Sequence, residues 1–384
     1  MYCPPQRRYV STPYPNPVFD KGNAEAGGGT GVRMGEFQVG FIGAGSIART
    51  HATRVEELGQ AVAAVADIDP EVRAEFAAEY GTTAEFEDYE RMLAESDIDV
   101  CVIAVPNALH ADCAVAALDA GVNVFVEKPL AATLSGAERV ATAAAESDAD
   151  AMVGFMKVFD GGAEAVDTAV KRGDFGDVYE VSVEYVRRRG IPQLGSWFTR
   201  EELAGGGALI DIGPHVLHLA LSLLGFPDIE RVSASTGAHF GNRDDYTYLD
   251  MWGGDPTDDP EFTVEDHARA HVRTADGTTI ALDVAWASNR DPVQRIQVLG
   301  DDAGATMVPE DDHFDVYGTR DGTLSTDTRR PPRTDSFLAE WEYFFDVLRG
   351  ERTHTRNTVS EGLAVQRLID AIYRSADRGR EVEV

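Results

Sequence analysis

Val39-Gly40-Phe41-Ile42-Gly43-Ala44-Gly45-Ser46-Ile47-Ala48 is an apolar run that ends in a glycine turn and continues in helix-compatible residues. The pattern is G-x-G-x-x-A. Gly43 permits a tight strand-to-helix turn, Gly45 lets a pyrophosphate approach the backbone, and Ala48 lets the helix pack close to the strand. The helix that opens at Ser46 and Ile47 offers free N–H groups and the positive end of its dipole to phosphates. Glycine turns are common, so the meaning of this one depends on what surrounds it.

Strand and helix alternate outward from the turn. Residues 37–42 read as a strand and 46–58 as a helix. Residues 61–66 form a short apolar run, a second strand buried on both faces. It ends at Asp67, 24 residues after Gly43. A carboxylate at that distance accepts hydrogen bonds from the adenosine ribose hydroxyls and repels a 2′-phosphate, which favours NAD over NADP. Asp67 as a helix cap is the competing reading, but Asp69, directly before Pro70, is the better cap. Residues 71–80 read as a helix closed by Gly81, and 88–95 as another. A third core strand spans 99–105 and is broken by Pro106. A helix from Asn107 to Leu118 follows, then a fourth strand, 122–126, which terminates at Glu127-Lys128-Pro129. Short connections between such elements imply a parallel, doubly wound sheet, a Rossmann dinucleotide-binding domain of the α/β class. Ligands bind such sheets at the carboxyl ends of the strands. The turn at Gly43, Gly45, Ser46 and Ile47 should therefore converge with Asp67, Pro106, Asn107, His110, Glu127 and Lys128.

The composition narrows the class of protein. A chain of 384 residues is expected to form two domains. Its formal net charge is −32, from 66 acids against 34 bases, and only four of those bases are lysines: Lys21, Lys128, Lys157 and Lys171. Like charges at this density repel one another in dilute salt, and molar salt shortens the screening length to about 3 Å. We read this as the signature of a cytosolic, salt-adapted protein from a halophile. The same charge argues against nucleic acid, which needs basic patches. No apolar run approaches the roughly 20 residues of a membrane span. Cys3, Cys101 and Cys113 are odd in number and widely spaced, which argues against a disulfide framework and against a metal cluster. Residues 1–33 contain Pro4, Pro5, Pro13, Pro15, Pro17 and the run Gly27-Gly28-Gly29, and read as a disordered extension. Arg7-Arg8 is not followed by the apolar stretch of an export signal.

Three segments carry a family resemblance: Gly43-Ala44-Gly45-Ser46-Ile47-Ala48, Ala104-Val105-Pro106-Asn107-Ala108-Leu109-His110, and Glu127-Lys128-Pro129-Leu130. Their order and spacing resemble those of the Gfo/Idh/MocA family, named for glucose–fructose oxidoreductase, inositol dehydrogenase and rhizopine catabolism. The similarity runs from residue 36 to the C-terminus. It implies an oxidoreductase that uses NAD or NADP and acts on a secondary alcohol of a sugar, sugar derivative or cyclitol. Two other activities occur with this fold: an NAD-retaining glycosidase or lyase, and a non-catalytic sugar or nucleotide sensor. Loss of Lys128 or His215 would point to the sensor, and both are present.

After residues 151–159 the pattern changes. Residues 179–186 alternate as a strand, and later strands are expected at 231–235, 268–274, 278–286 and 295–299. Asp276-Gly277 marks a hairpin turn between two of them. This implies an α+β second domain with a large, open, mainly antiparallel sheet, and a division into 34–157 and 158–384. An acidic, glycine-rich loop is expected at 242–260, and amphipathic helices at 337–348 and 360–376. The remaining open face of the sheet suggests a homodimer or homotetramer.

A dehydrogenase needs a group that takes the alcohol proton. Histidine titrates near neutrality, and a lysine can be shifted there by burial or cationic neighbours. Lys128 and His215 are the candidates, and either could serve as the acid/base. Asp211 lies four residues before His215, so on one helix the two share a face. Asp211 is expected to orient the imidazole or bind a substrate hydroxyl, and the resemblance supports an Asp-x-x-x-His pair acting with the lysine. Relatives commonly have Asp where His218 stands, and a basic residue where Lys157 stands. Lys157, Arg187 and Trp197 are expected to meet substrate beside Arg188 and Phe198, because aromatic faces stack on sugar rings and arginine binds hydroxyls or carboxylates. No metal site is expected.

Overall fold

The structure, a computed structural model, describes residues 37–247, 256–308 and 313–384. The expectation for residues 1–33, and part of that for 242–260, lies outside the described residues. The first sheet contains β1 (Gln38–Ile42), β2 (Ala61–Ala66), β3 (Ala84–Phe86), β4 (Val100–Ile103), β5 (Asn123–Glu127) and β6 (Ala151–Gly154). All six are parallel, in the order β3-β2-β1-β4-β5-β6. The crossovers are α1 (Ser46–Glu57), α2 (Pro70–Tyr80), α3 (Tyr89–Glu95), α4 (Asn107–Asp119) and α5 (Leu134–Glu146). Every residue of β4 is buried, as a central strand covered by helices on both sides requires. Asp69 caps α2 through the N–H groups of Glu71 and Val72, and Gly81 closes it in the left-handed conformation. The strand order reverses between β1 and β4, which opens a crevice at their carboxyl ends.

A short 3-10 turn, Met156–Phe159, leads out of this sheet. There follow α6 (Gly161–Lys171), β7 (Val178–Val186), α7 (Glu201–Ala204) and α8 (Ala208–Leu223). Next come β8 (Ile229–Gly237), β9 (His267–Thr274), β10 (Thr279–Ala285), β11 (Val293–Gly300), β12 (Ala303–Met307), β13 (Phe314–Arg320) and β14 (Thr323–Arg329). With the terminal β15 (Val382–Glu383), these strands build a nine-stranded sheet in the order β14-β13-β12-β11-β7-β10-β9-β8-β15. It is antiparallel as expected, apart from the β7–β10 pair. Among the described residues one helical stretch, Glu201–Leu223, is long and apolar enough to cross a membrane, and most of it is buried in the fold. It packs on β7 and β10 as a core helix.

The last two helices, α9 (Ser336–Leu348) and α10 (Val359–Arg378), serve both sheets. Phe345 stacks on Phe37 at 5.2 Å, and Trp341 on Phe125 at 4.5 Å. The edge strand β6 is completed by the chain between the two helices: Val153 N–H donates to the Asn357 carbonyl, and Met152 bridges Thr358. An open edge is thereby covered. Trp341 and Phe344 are fully buried, each stabilising this junction by about 2–3 kcal/mol. α10 also packs on β8 and α8, so the C-terminal segment binds the two units together.

Candidate active site

The crevice deepens into a cleft of about 1110 Å³ that runs from the β1–α1 turn to α8. Gly43 has φ +95°, and a Cβ there would stand 2.3 Å from the Ala104 carbonyl oxygen, so only glycine fits. A Cβ on Gly45 would meet nothing within 4 Å. That space is open for a group from outside the chain. Gly45 is the N-cap of α1 and provides no side-chain cap, while Ser46 and Ile47 line the cleft beside it. An uncapped first turn next to an open glycine fits a dinucleotide's pyrophosphate.

Asp67 lines the same end. One of its oxygens accepts the Ala44 N–H at 2.8 Å and the other the Asp69 N–H at 2.9 Å. The carboxylate thus pins the glycine turn and keeps lone pairs for further donors. Pro106 and Asn107 form the opposite wall, and the Asn107 amide donates to the Ala204 carbonyl at 2.8 Å, tying α4 to α7. His110 sits beneath this loop, its ring nitrogens 2.7 Å and 2.9 Å from the carbonyls of Pro129 and Val105. Burial pushes its pKa down.

Glu127, at the end of β5, is 7% exposed. One oxygen accepts from His51 Nε2 at 2.7 Å and the other from the Lys128 N–H at 3.0 Å. The Trp341 indole donates to His51 Nδ1 at 3.0 Å, which places the imidazole proton on Nε2, facing Glu127. Burial alone would raise the Glu127 pKa. The His51 bond and the Lys128 charge outweigh it and hold the carboxyl below its ordinary value. The peptide bond between Lys128 and Pro129 is cis.

Lys128 Nζ donates to the Asp211 carbonyl at 2.9 Å and to Asp211 Oδ1 at 3.2 Å. Asp211 Oδ2 accepts the Trp286 indole N–H at 2.8 Å. Asp211 was expected either to orient His215 or to bind a substrate hydroxyl; the structure shows no bond of the first kind. Both residues lie on α8, but a cation and an indole N–H occupy the two carboxylate oxygens, and His215 Nδ1 is buried with no hydrogen-bond partner. Burial, followed by the charges of Lys128, Lys157 and Arg187, pushes the His215 pKa well below its ordinary value. The imidazole is therefore neutral.

Lys157 and Arg187 reach the same end of the cleft and meet at Tyr185. Their charged groups lie 5.6 Å and 5.2 Å from its ring centroid, and Arg187 donates to the Tyr185 hydroxyl at 3.3 Å. Trp197 lines the cleft with its ring stacked on Phe198 at 3.6 Å. His218 faces away from the cleft. It stacks on Phe155 at 4.0 Å and lines a separate cavity of about 200 Å³ behind α8. Sequence reasoning missed Tyr185, Trp286 and His51. Tyr185 and Trp286 fall at the ends of two of the expected strands, and that placement was the available signal. His51 gave none, since its partner Trp341 lies 290 residues away. The segment Pro331–Ser336 roofs the cleft, held to α1 by the Arg54–Asp335 ion pair at 3.0 Å.

Residues 37–155 match the oxidoreductase family with an NAD-binding Rossmann fold, and residues 163–306 match the GFO/IDH/MocA C-terminal domain. The chain is 29% identical over 352 residues to D-glucoside 3-dehydrogenase of Escherichia coli (strain K12), covering 90% of this chain and 97% of that one. It is 30% identical over 329 residues to D-xylose 1-dehydrogenase (NADP(+)) 2 of Haloferax volcanii, covering 84% and 91%. A levoglucosan dehydrogenase solved in complex with NADH and levoglucosan superposes with a TM-score of 0.81 at 22% identity, over 91% of this chain and 99% of that one. At that identity the superposition shows a shared fold. With two matched segments that span most of the described chain and a cleft built at the switch point of its parallel sheet, the protein belongs to the Gfo/Idh/MocA family of NAD-binding oxidoreductases.

Proposed function

We propose that the protein is a dehydrogenase that oxidises a secondary alcohol of a sugar, sugar derivative or cyclitol. One observation carries this reading: the Lys128 ammonium, paired with Asp211, shares the inner end of a dinucleotide-sized cleft with a buried, neutral His215 whose Nδ1 has no partner. When bound, a nicotinamide dinucleotide supplies the hydride acceptor. The chain's own residues manage the proton and the charge. Lys128 donates a hydrogen bond to the substrate oxygen and stabilises negative charge as it develops there. The His215 imidazole accepts the hydroxyl proton. Asp211 positions Lys128, and Trp286 holds Asp211. Trp197 offers an aromatic face to the sugar ring.

Gly43, Gly45, Ser46 and Ile47 would hold the pyrophosphate, and Asp67 the adenosine ribose. Pro106, Asn107, His110 and Glu127 would shape the wall toward the nicotinamide. The position of Asp67 favours NAD, and a 2′-phosphate would meet its carboxylate. We further propose that residues 34–157 act as the dinucleotide unit and 158–384 as the substrate unit. The outer face of the nine-stranded sheet would join copies into a homodimer or homotetramer, a small-molecule enzyme of the cytoplasm with no nucleic-acid or membrane partner. The −32 charge supports adaptation to high salt.

The test is a panel of sugars and cyclitols in molar KCl, following reduced-nicotinamide absorbance with NAD and NADP in separate arms. Turnover with NAD and little with NADP is the expected result. No reduction with any member would remove the dehydrogenase reading, and a preference for NADP would remove the Asp67 argument. Dialysis into low salt should lower the melting temperature. An unchanged melting temperature would count against salt adaptation.

A further inference from the structure

The cavity of about 200 Å³ behind α8 is bounded by α6, α8 and the chain between α9 and α10. Leu219 and Ala163 line both this cavity and the cleft, so α8 and the start of α6 form the wall between the two spaces. An occupant of the rear cavity therefore rests against the helix that carries Asp211 and His215. The volume is far above the roughly 15 Å³ that one water needs. His218 lines the cavity and is 2% exposed. We propose that the cavity is a second binding site and that its ligand is a small neutral polyol. This is independent of the dehydrogenase reading, in which His218 takes no part.

Four buried atoms of the lining residues have no hydrogen-bond partner among the described residues: Nδ1 and Nε2 of His218, Oδ1 of Asn357 and Oδ1 of Asp167. They come from three separate parts of the chain and meet around one space. His218 Nε2 stands 3.7 Å from Glu361 Oε2, beyond hydrogen-bond reach, and that oxygen already accepts the Thr358 N–H at 2.9 Å. Asn357 and Asp167 each spend their other polar atom within the chain. Asn357 Nδ2 donates to Glu340 at 2.8 Å, and Asp167 Oδ2 accepts from Lys171 at 2.6 Å. Buried polar atoms are almost always paired in folded proteins, so this grouping calls for partners from outside the chain.

The chemistry of these atoms selects the ligand. Burial pushes the His218 pKa down, so the ring is neutral and presents one N–H and one lone pair. The ligand must accept at one nitrogen, donate to the other, and donate to the oxygens of Asn357 and Asp167. An ammonium ion only donates, and a carboxylate or phosphate dianion only accepts. A hydroxyl does both. The charged side chains around the cavity are already matched: Lys171 with Asp167, Arg356 with Glu164 at 2.9 Å, and Glu361 in the capping box of α10. They call for no charged ligand. Val158, Leu219 and Phe226 supply apolar surface for the C–H faces of a polyol.

The test is calorimetric titration of the full-length protein with glycerol, erythritol and myo-inositol at one fixed ionic strength, below the concentrations at which polyols stabilise proteins by exclusion. At least one should bind with a dissociation constant of about 1 mM or tighter. His218→Leu removes both ring nitrogens, and Ser222→Leu fills the cavity from α8. Neither residue lines the cleft. Each substitution should weaken binding by about tenfold or more, with circular dichroism as the check on folding. Undiminished binding in either folded variant puts the polyol elsewhere and overturns the proposal. Failure of all three polyols to bind also overturns it and leaves the cavity to water. Methylammonium or inorganic phosphate that binds more tightly, and is lost in the same variants, overturns the ligand class. A crystal grown with erythritol decides without any variant. Erythritol seen behind α8 upholds the proposal, and erythritol seen in the cleft alone overturns it.

Discussion

Glu127 and Asp211 are two buried carboxylates on either side of one lysine, 7% and 9% exposed. Each is tied to an indole: Asp211 directly to Trp286, and Glu127 to Trp341 through His51. They differ in what the remaining oxygen holds. In Glu127 it accepts the backbone N–H of Lys128, a group that cannot move without the strand end. In Asp211 it holds the Lys128 ammonium, at the tip of a flexible stem. The same functional group, at nearly the same depth, fixes the backbone in one place and holds a side-chain ammonium in the other. Burial alone therefore does not identify the residue that takes part in chemistry. The partner's freedom to move does.

The largest effect should come from the lysine that both acids flank. Lys128→Ala should lower kcat by about 10²–10⁴-fold in steady-state assays, the range for losing a positioned proton-transfer or charge-stabilising group. Retention of a tenth or more of the turnover would break the contrast, because Asp211 would then hold nothing that matters. A third buried carboxylate sharpens the contrast through pH. Glu265 accepts from the N–H groups of Gly207 and Leu209 and from the Tyr373 hydroxyl, and no ion pair to it occurs among the described residues. Burial pushes its pKa from 4.5 up to about 7. Its stabilising contribution is complete below the ordinary value of 4.5 and is lost as the pH rises through about 7. The stability gap between wild type and Glu265→Gln should therefore move by roughly 3 kcal/mol toward the variant between acid and alkaline pH, read from urea midpoints. A gap that stays constant across that range would contradict the assignment.

Glu127→Gln should cost about 1.5–3 kcal/mol of stability, the worth of hydrogen bonds to a charged group, with kcat reduced far less than in Lys128→Ala. Parallel losses in both readouts would merge the two acids into one role. The smallest effect belongs to Trp286→Phe. Removal of one neutral donor from Asp211 should lower kcat about fivefold, with the melting temperature little altered. Unchanged kcat would leave Trp286 as packing alone.

The parallel sheet was legible in the sequence because each strand is a short apolar run and each turn has its own chemistry: Gly43, Asp69 before Pro70, Gly81. The cleft residues at strand ends were legible for the same reason. Strands β13 and β14 were not, because they form one end of the sheet and alternate weakly, with Leu324 88% exposed. α6 was missed for a different reason, since Gly161 and Gly162 open it and disguise the helix that Asp160 caps. Asp211 lines the cleft, but of the two expected roles the structure shows no bond to His215. Helical spacing says which residues share a face, but the carboxylate's partners come from β5 and from the end of β10. His51 and Trp341 show the limit most clearly, since no local pattern links an α1 histidine to an α9 indole.

The roof of the cleft has a consequence for synthesis. Pro331–Ser336 and Trp341 close over a turn built from residues 43–48 and over the His51–Glu127 pair. A growing chain presents the whole parallel sheet to its surroundings well before the ribosome has made the residues that cover it. During that interval the glycine turn is complete while the cleft has no lid, and the edge of β6 has no Asn357 carbonyl to receive Val153. Vectorial folding can thus produce the cradle early. The cleft is enclosed only once residues 331–341 have been made, so synthesis of this segment and closure of the site are timed together.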